Sequence, residues 1–221
     1  MTNTPNIPGP HANSHLLTAG VPLKDATAAM LMVHGRGATA EDILGLADPL
    51  DTGAFAYVAP QAVGGTWYPY SFLAPFEMNE PWLSSALAVL DAALAHIVDA
   101  GIPLGRVILL GFSQGGCLAT EYAARHARRY AGVVGLSAGL IGPDDAPCDY
   151  AGSLEGTPVF LGCSDRDPHI PKARVLESAQ VLEALGGAVD ARLYPNMGHN
   201  INQDEITAVR QIMAQLSAVT E

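Results

Sequence analysis

The sequence predicts an α/β fold, with three layers (α/β/α) built on a mostly parallel central sheet. Three observations carry that prediction. Short apolar runs alternate with longer segments of helical period along nearly the whole chain. Several of the runs, such as Ala28 to Val33, are apolar without interruption, as strands buried on both faces are. The 221 residues, 49% hydrophobic and 15% charged, also hold ample material for one core without disulfides or metals.

Met1 to Ser14 is polar and lacks the basic and apolar regions of a secretory signal, so residues 1–13 read as a flexible arm before a single domain over 14–221. Leu16 to Leu23 and Ala28 to Val33 read as strands separated by a turn at Val21-Pro22. Thr39 with Asp42 gives a capping-box-like start to a helix in which Ile43, Leu44, Ala47 and Leu50 recur, ended by Asp51-Thr52-Gly53. Phe55 to Ala59 is the next buried strand. Gly64 to Glu80 is aromatic but has no period, which marks either a functional loop or a satellite core cluster.

From Pro81 a long helix carries a stripe of Leu83, Leu87, Leu90, Leu94, Ile97 and Val98, stopped by Gly101 and Pro103. The alternation then repeats as strand Arg106 to Phe112, helix Gly115 to Arg129, strand Gly132 to Ser137 and a Pro/Asp/Gly-rich loop, Gly139 to Thr157. Strand Pro158 to Gly162, helix Pro171 to Leu185 and strand Val189 to Tyr194 follow, and a last helix starts at Asn202 with Glu205 as its box partner.

Lys and Arg number 11 against 22 Asp and Glu, a net charge of -11, which argues against a nucleic-acid partner. The one basic cluster, Arg125, Arg128 and Arg129, reads as the last turn of a helix, where cations complement the dipole. Cys117, Cys148 and Cys163 form no CxxC pair, which fits a reducing compartment and a cytoplasmic protein. No run approaches about 18 consecutive apolar residues, so no membrane span is expected. His11, His15, His96 and His126 show no metal-ligand spacing, and neither a metal nor a cofactor is expected.

Ligands of open parallel sheets bind beyond the carboxyl ends of the strands, so the residues there carry the functional reading. Gly111-Phe112-Ser113-Gln114-Gly115 fits G-x-S-x-G between a strand and a helix, which puts the Ser113 hydroxyl on a sharp, exposed elbow. A serine hydroxyl is a weak nucleophile until a base takes its proton, and His199, after the last strand, is the candidate base. A carboxylate must orient that imidazole. Asp167 is preferred to Asp165, because the loop has to turn back and Pro168 stiffens it.

The oxyanion needs N–H donors, expected from Gln114 and from the loop His34-Gly35-Arg36-Gly37, with Arg36 the donor and Gly35 the fallback. His34 reads as a brace of that loop, and Cys117 and Cys163 as small core residues. Trp67, Tyr68, Phe72 and Leu73, completed by Leu140, are the candidate substrate-binding wall.

With these residues in place, the chain resembles the α/β-hydrolase superfamily and, within it, the phospholipase/carboxylesterase family that includes acyl-protein thioesterases. The likeness rests on His34-Gly35-Arg36-Gly37, Gly111 to Gly116, Asp167-Pro168-His169-Ile170-Pro171 and Gly198-His199, and it covers nearly the whole chain after Ser14. The resemblance implies a serine carboxylesterase with no large cap domain, often a homodimer. Its substrates would be small to medium acyl esters, with thioesters and lysophospholipids in range. The chain departs from the family in Ala38, where many members carry an acidic residue, and in Trp67-Tyr68-Pro69. Dienelactone hydrolases are similar but carry cysteine where this chain has Ser113. A catalytically silent hydrolase-fold binding protein is the alternative reading, and acyl transfer would use the same acyl-enzyme.

Overall fold

The computed structural model describes residues 2–3, 7–50, 53–144, 146 and 148–217. In chain order the elements are β1 (Thr2–Asn3), β2 (His15–Gly20), β3 (Ala28–Val33), α1 (Ala40–Leu44), α2 (Ala47–Leu50), β4 (Phe55–Pro60), α3 (Phe76–Asn79) and α4 (Trp82–Asp99). They continue as β5 (Val107–Phe112), α5 (Gln114–Arg125), β6 (Gly132–Leu136), β7 (Pro158–Ser164), α6 (Lys172–Ala184), β8 (Ala188–Tyr194) and α7 (Gln203–Ser217). The strands form one sheet in the order β1-β2-β4-β3-β5-β6-β7-β8. β2 runs antiparallel to β1 and β4, and every pairing from β4 to β8 is parallel.

Every residue of β3 and β4 is buried, which is why those runs are apolar on both faces. One core lies between the sheet and α4, α5 and α6, with Leu83, Leu90, Leu118 and Leu182 in it. The other lies under α1, α2 and α7, with Ile43, Leu50, Val209 and Met213. Each such side chain contributes about 1.5–3 kcal/mol when fully buried, so the two layers together dominate the fold's stability.

Helix starts follow their caps. Thr39 and Asp42 form a reciprocal capping box on α1, and the Asn202 and Glu205 side chains exchange the same pair of bonds, at 2.9 and 2.8 Å, ahead of α7. The expected helix after Thr39 is broken in two, because Gly45 closes α1 by donating to Glu41 and Asp42 carbonyls before the chain resumes at Ala47. Asp51-Thr52, expected to end it, lie outside the described residues.

Elsewhere the structure corrects the expectation. The buried stripe of α4 is Leu83, Ala86, Val89, Leu90, Ala93, Leu94 and Ile97; Val98 is 39% exposed and Leu87 half-buried, since the sheet faces a narrower arc. α4, with a mean hydropathy of 1.4, is long and apolar enough to cross a membrane by length and composition alone, and its buried stripe packs into the core of its own chain. α5 stops at Arg125, so Arg128 and Arg129 lie beyond its last turn. The Arg128 guanidinium sits 5.8 Å from the Tyr130 ring centroid, and Arg129 donates to the Glu155 carbonyl.

Of residues 7–13, expected as a flexible arm, two are anchored in the core and Pro8, Gly9, Ala12 and Asn13 are exposed; Met1 and residues 4–6 are outside the described residues. Ile7 and His11 are buried. The His11 ring donates Nε2–H to the Trp67 carbonyl at 2.9 Å and accepts the Val63 N–H at Nδ1 at 3.2 Å, so it is held as a neutral imidazole. Burial pulls its pKa down, consistent with that pairing.

Candidate active site

Ser113 joins β5 to α5 with φ 55 and ψ -123, a left-handed conformation that a non-glycine residue holds only when its surroundings enforce it. The enforcement is visible. Gly115 is the point of closest approach, where a Cβ would lie 2.2 Å from the Val33 carbonyl oxygen and 2.3 Å from that of His34. Only glycine lets the start of α5 press against the end of β3. The Ser113 N–H is held by the Leu136 carbonyl of β6 at 2.9 Å.

The elbow turns the Ser113 hydroxyl toward His199, in the turn after β8, with Oγ to Nε2 at 2.9 Å. On the ring's other side Nδ1–H donates to Asp167 Oδ2 at 2.7 Å. Asp167 follows β7, and its Oδ1 accepts the N–H groups of His169 at 2.8 Å and Ile170 at 3.0 Å. Burial pushes the Asp167 pKa up, but the His199 hydrogen bond and the two N–H donors outweigh it and hold the carboxyl below its ordinary value. Asp165 is engaged elsewhere, accepting the Asn196 N–H at 2.8 Å. The His199 ring packs between Phe112 and His169, each with its centroid 4.9 Å away.

Facing Ser113 is the loop after β3. His34 braces it, donating Nδ1–H to the Gly35 carbonyl at 2.8 Å and accepting the Ala62 N–H at 3.1 Å. Among the described residues, neither the Arg36 nor the Gln114 backbone N–H has an acceptor.

The side chains of these two residues do something that sequence reasoning missed. Arg36 donates to the carbonyls of Tyr68 at 2.9 Å, Pro69 at 2.9 Å and Tyr70 at 2.7 Å. Gln114 accepts the Trp67 N–H at 2.9 Å and donates to the Tyr68 carbonyl at 2.8 Å. Both clamps hold the aromatic segment over the site. The sequence showed here only a long aromatic stretch without a period, which does not reveal which distant side chains hold it.

A cleft of about 480 Å³ opens above Ser113 and His199. Of the residues expected in its wall, Tyr68 and Phe72 line it, together with Arg36 and Gln114. Trp67, Leu73 and Leu140 do not. Trp67 is fully buried, with its Nε1–H on the His34 carbonyl at 2.8 Å and its ring 5.0 Å from that of His34. Leu73 packs against the core, and Leu140 is buried with its N–H on Ser178. Pro69, Tyr70, Ser71, His169 and Ile170 line the cleft without having been expected in its wall. Cys117, one helical turn beyond Ser113, lines its floor; burial pushes that thiol up to about 12, so it stays protonated.

The phospholipase/carboxylesterase family profile matches residues 20–217. The chain belongs to this family. A solved phospholipase/carboxylesterase from Dyadobacter fermentans is 43% identical, covers 91% of this chain and 96% of its own, and superposes with a TM-score of 0.87. The Bacillus cereus carboxylesterase, 19% identical over 93% of this chain and 95% of its own, shares the fold with a TM-score of 0.75. Among curated members of the family, acyl-protein thioesterase 1 of Gibberella zeae is 31% identical over 125 residues, 52% of this chain and 50% of that protein. The chain thus spans about half the length of the curated relatives it matches. The family's α/β-hydrolase architecture is present, with no large cap domain among the described residues.

Proposed function

We propose that the protein is a serine ester hydrolase that acts on small to medium acyl esters, thioesters included, through an acyl-enzyme. The observation that carries this reading is the continuous hydrogen-bonded line from Ser113 Oγ through the His199 ring to Asp167, opening on a cleft. In the proposed reaction Ser113 Oγ bonds to the ester carbonyl carbon as its proton passes to His199 Nε2. The tetrahedral oxyanion is received by the N–H groups of Arg36 and Gln114. Collapse breaks the bond to the alcohol or thiol, which leaves with the proton from His199. Water then repeats the sequence, giving up a proton to His199, releasing the carboxylic acid and returning the proton to Ser113. Asp167 holds the Nδ1–H tautomer and stabilises the imidazolium in both halves.

Three free cysteines, two of them buried, support a reducing cytoplasmic setting. The test is hydrolysis of 4-nitrophenyl esters from acetate to laurate by the wild type and by Ser113→Ala. The expected result is turnover that vanishes with the hydroxyl, with a chain-length maximum set by the cleft. Turnover retained by the alanine variant, or none in the wild type, would reject the reading.

A further inference from the structure

The charge on the described lining of the cleft is opposite in sign to that of the chain as a whole. The protein carries 22 acidic residues against 11 Lys and Arg, yet among the described residues no Asp or Glu lines the cleft, and the one Lys or Arg that does is Arg36. Arg125, Arg174 and Arg192 each pair with a carboxylate at 2.6 or 2.7 Å. Arg36 differs from them. Its partners are the backbone carbonyls of Tyr68, Pro69 and Tyr70, which hold the guanidinium in place without cancelling its charge. A guanidinium has five N–H donors, so this arrangement leaves donors free for a further acceptor. The result is a pre-oriented cation on the same loop as the candidate oxyanion donor, in a cleft lined by no carboxylate among the described residues.

From this juxtaposition we propose that the cleft selects esters bearing a second, anionic group, a carboxylate on either the acyl or the alcohol half, which Arg36 receives. The selection rests on the hydrolase reading above and narrows its substrate class. An ion pair with a fixed guanidinium is directional and charge-assisted, whereas an uncharged group of equal length gains nothing from it. Arg36 is exposed, so the attraction is screened by salt.

The experiment compares kcat/KM for two matched pairs. One is mono-4-nitrophenyl adipate against its methyl ester, and the other is 4-carboxyphenyl butyrate against its methyl ester, each corrected for spontaneous hydrolysis. The expected anionic-to-neutral ratio exceeds about tenfold in at least one pair, as a charged hydrogen bond supplies. It collapses toward one in Arg36→Met, recovers in part in Arg36→Lys, and shrinks in 0.5 M salt (about a 4 Å screening length). A ratio of one or below in both pairs, or a ratio that Arg36→Met leaves unchanged, overturns the proposal. Calorimetric titration of Ser113→Ala with monomethyl adipate and dimethyl adipate reads the same preference without turnover. If no ester is hydrolysed but the anion still binds preferentially through Arg36, the hydrolase reading fails and the anion site stands.

Discussion

Replacing Gly115 with alanine tests the elbow directly. The added Cβ would sit 2.2 Å from the Val33 carbonyl oxygen and 2.3 Å from that of His34. Non-bonded heavy atoms settle near ~3.5 Å, so α5 and the end of β3 must separate by about 1 Å. Both obstacles are backbone, and no rotamer change relieves them. Overpacking of this kind costs about 1–3 kcal/mol, and in a protein of this size each kcal/mol lowers Tm by about 2–4 °C.

The same displacement moves Ser113 away from the Arg36 loop. A 1 Å misplacement costs about 100-fold in rate, so kcat on a 4-nitrophenyl ester should fall by that order even where the protein is fully folded. Gly105→Ala is the control: no atom lies within 4 Å of its Cβ, and its Tm should stay within about 0.5 kcal/mol equivalent of wild type. Thermal melting and initial rates decide the matter. A Gly115→Ala protein that melts with the wild type and retains its activity would refute the close strand-to-helix contact as the basis of the elbow.

Further expectations follow from the same geometry. Asp167→Asn should lower kcat by about 10²–10⁴-fold, because the amide cannot stabilise the imidazolium, whereas Asp165→Asn keeps an acceptor for the Asn196 N–H and should change kcat little; steady-state kinetics on both separates the two aspartates. Gln114→Ala keeps its backbone donor but strands the buried Trp67 N–H, so it should cost about 1–3 kcal/mol in denaturant melts and raise KM more than it lowers kcat. Glu205 is buried against Gly162 with Oε1 unpartnered among the described residues, and burial pushes its carboxyl up to about 7. The folded state therefore holds a proton that the unfolded state gives up above about 4.5, so stability from this group is full at acid pH and is lost as pH rises through about 7. Glu205→Gln should raise Tm at pH 8 relative to wild type and do so much less at pH 5; equal shifts at both would reject that assignment.

What the sequence made legible were features with local causes. The caps at Thr39 and Asn202, the uninterrupted apolar strands and the G-x-S-x-G turn each depend on residues within a few positions of one another, so spacing alone reveals them. Of the two aspartates weighed, Asp167 is the one in contact with His199, and its other oxygen accepts the His169 and Ile170 N–H groups. The cleft wall was not legible in this way. Trp67 is buried through its bond to His34, 33 residues away, and the backbone around it hangs from Arg36 and Gln114. His11 was hidden for the same reason, because a polar, Pro-containing segment with no period gives no sign of a carbonyl 56 residues distant.

The Tyr68 carbonyl receives hydrogen bonds from Arg36, from Gln114 and from Thr66 Oγ1, three donors on one oxygen. That convergence separates what can drift in a lineage from what cannot. The main chain at Tyr68 is fixed by the same residues that line the cleft beside Ser113, so on the proposed reading insertions or deletions there would be paid for in turnover. The side chains of Tyr70, Ser71 and Phe72 face the cleft from just beyond the anchored point. New substrates in this lineage should therefore be reached by exchanging side chains at those positions on an unchanging main-chain path, a route open to single substitutions and to the engineer who makes them.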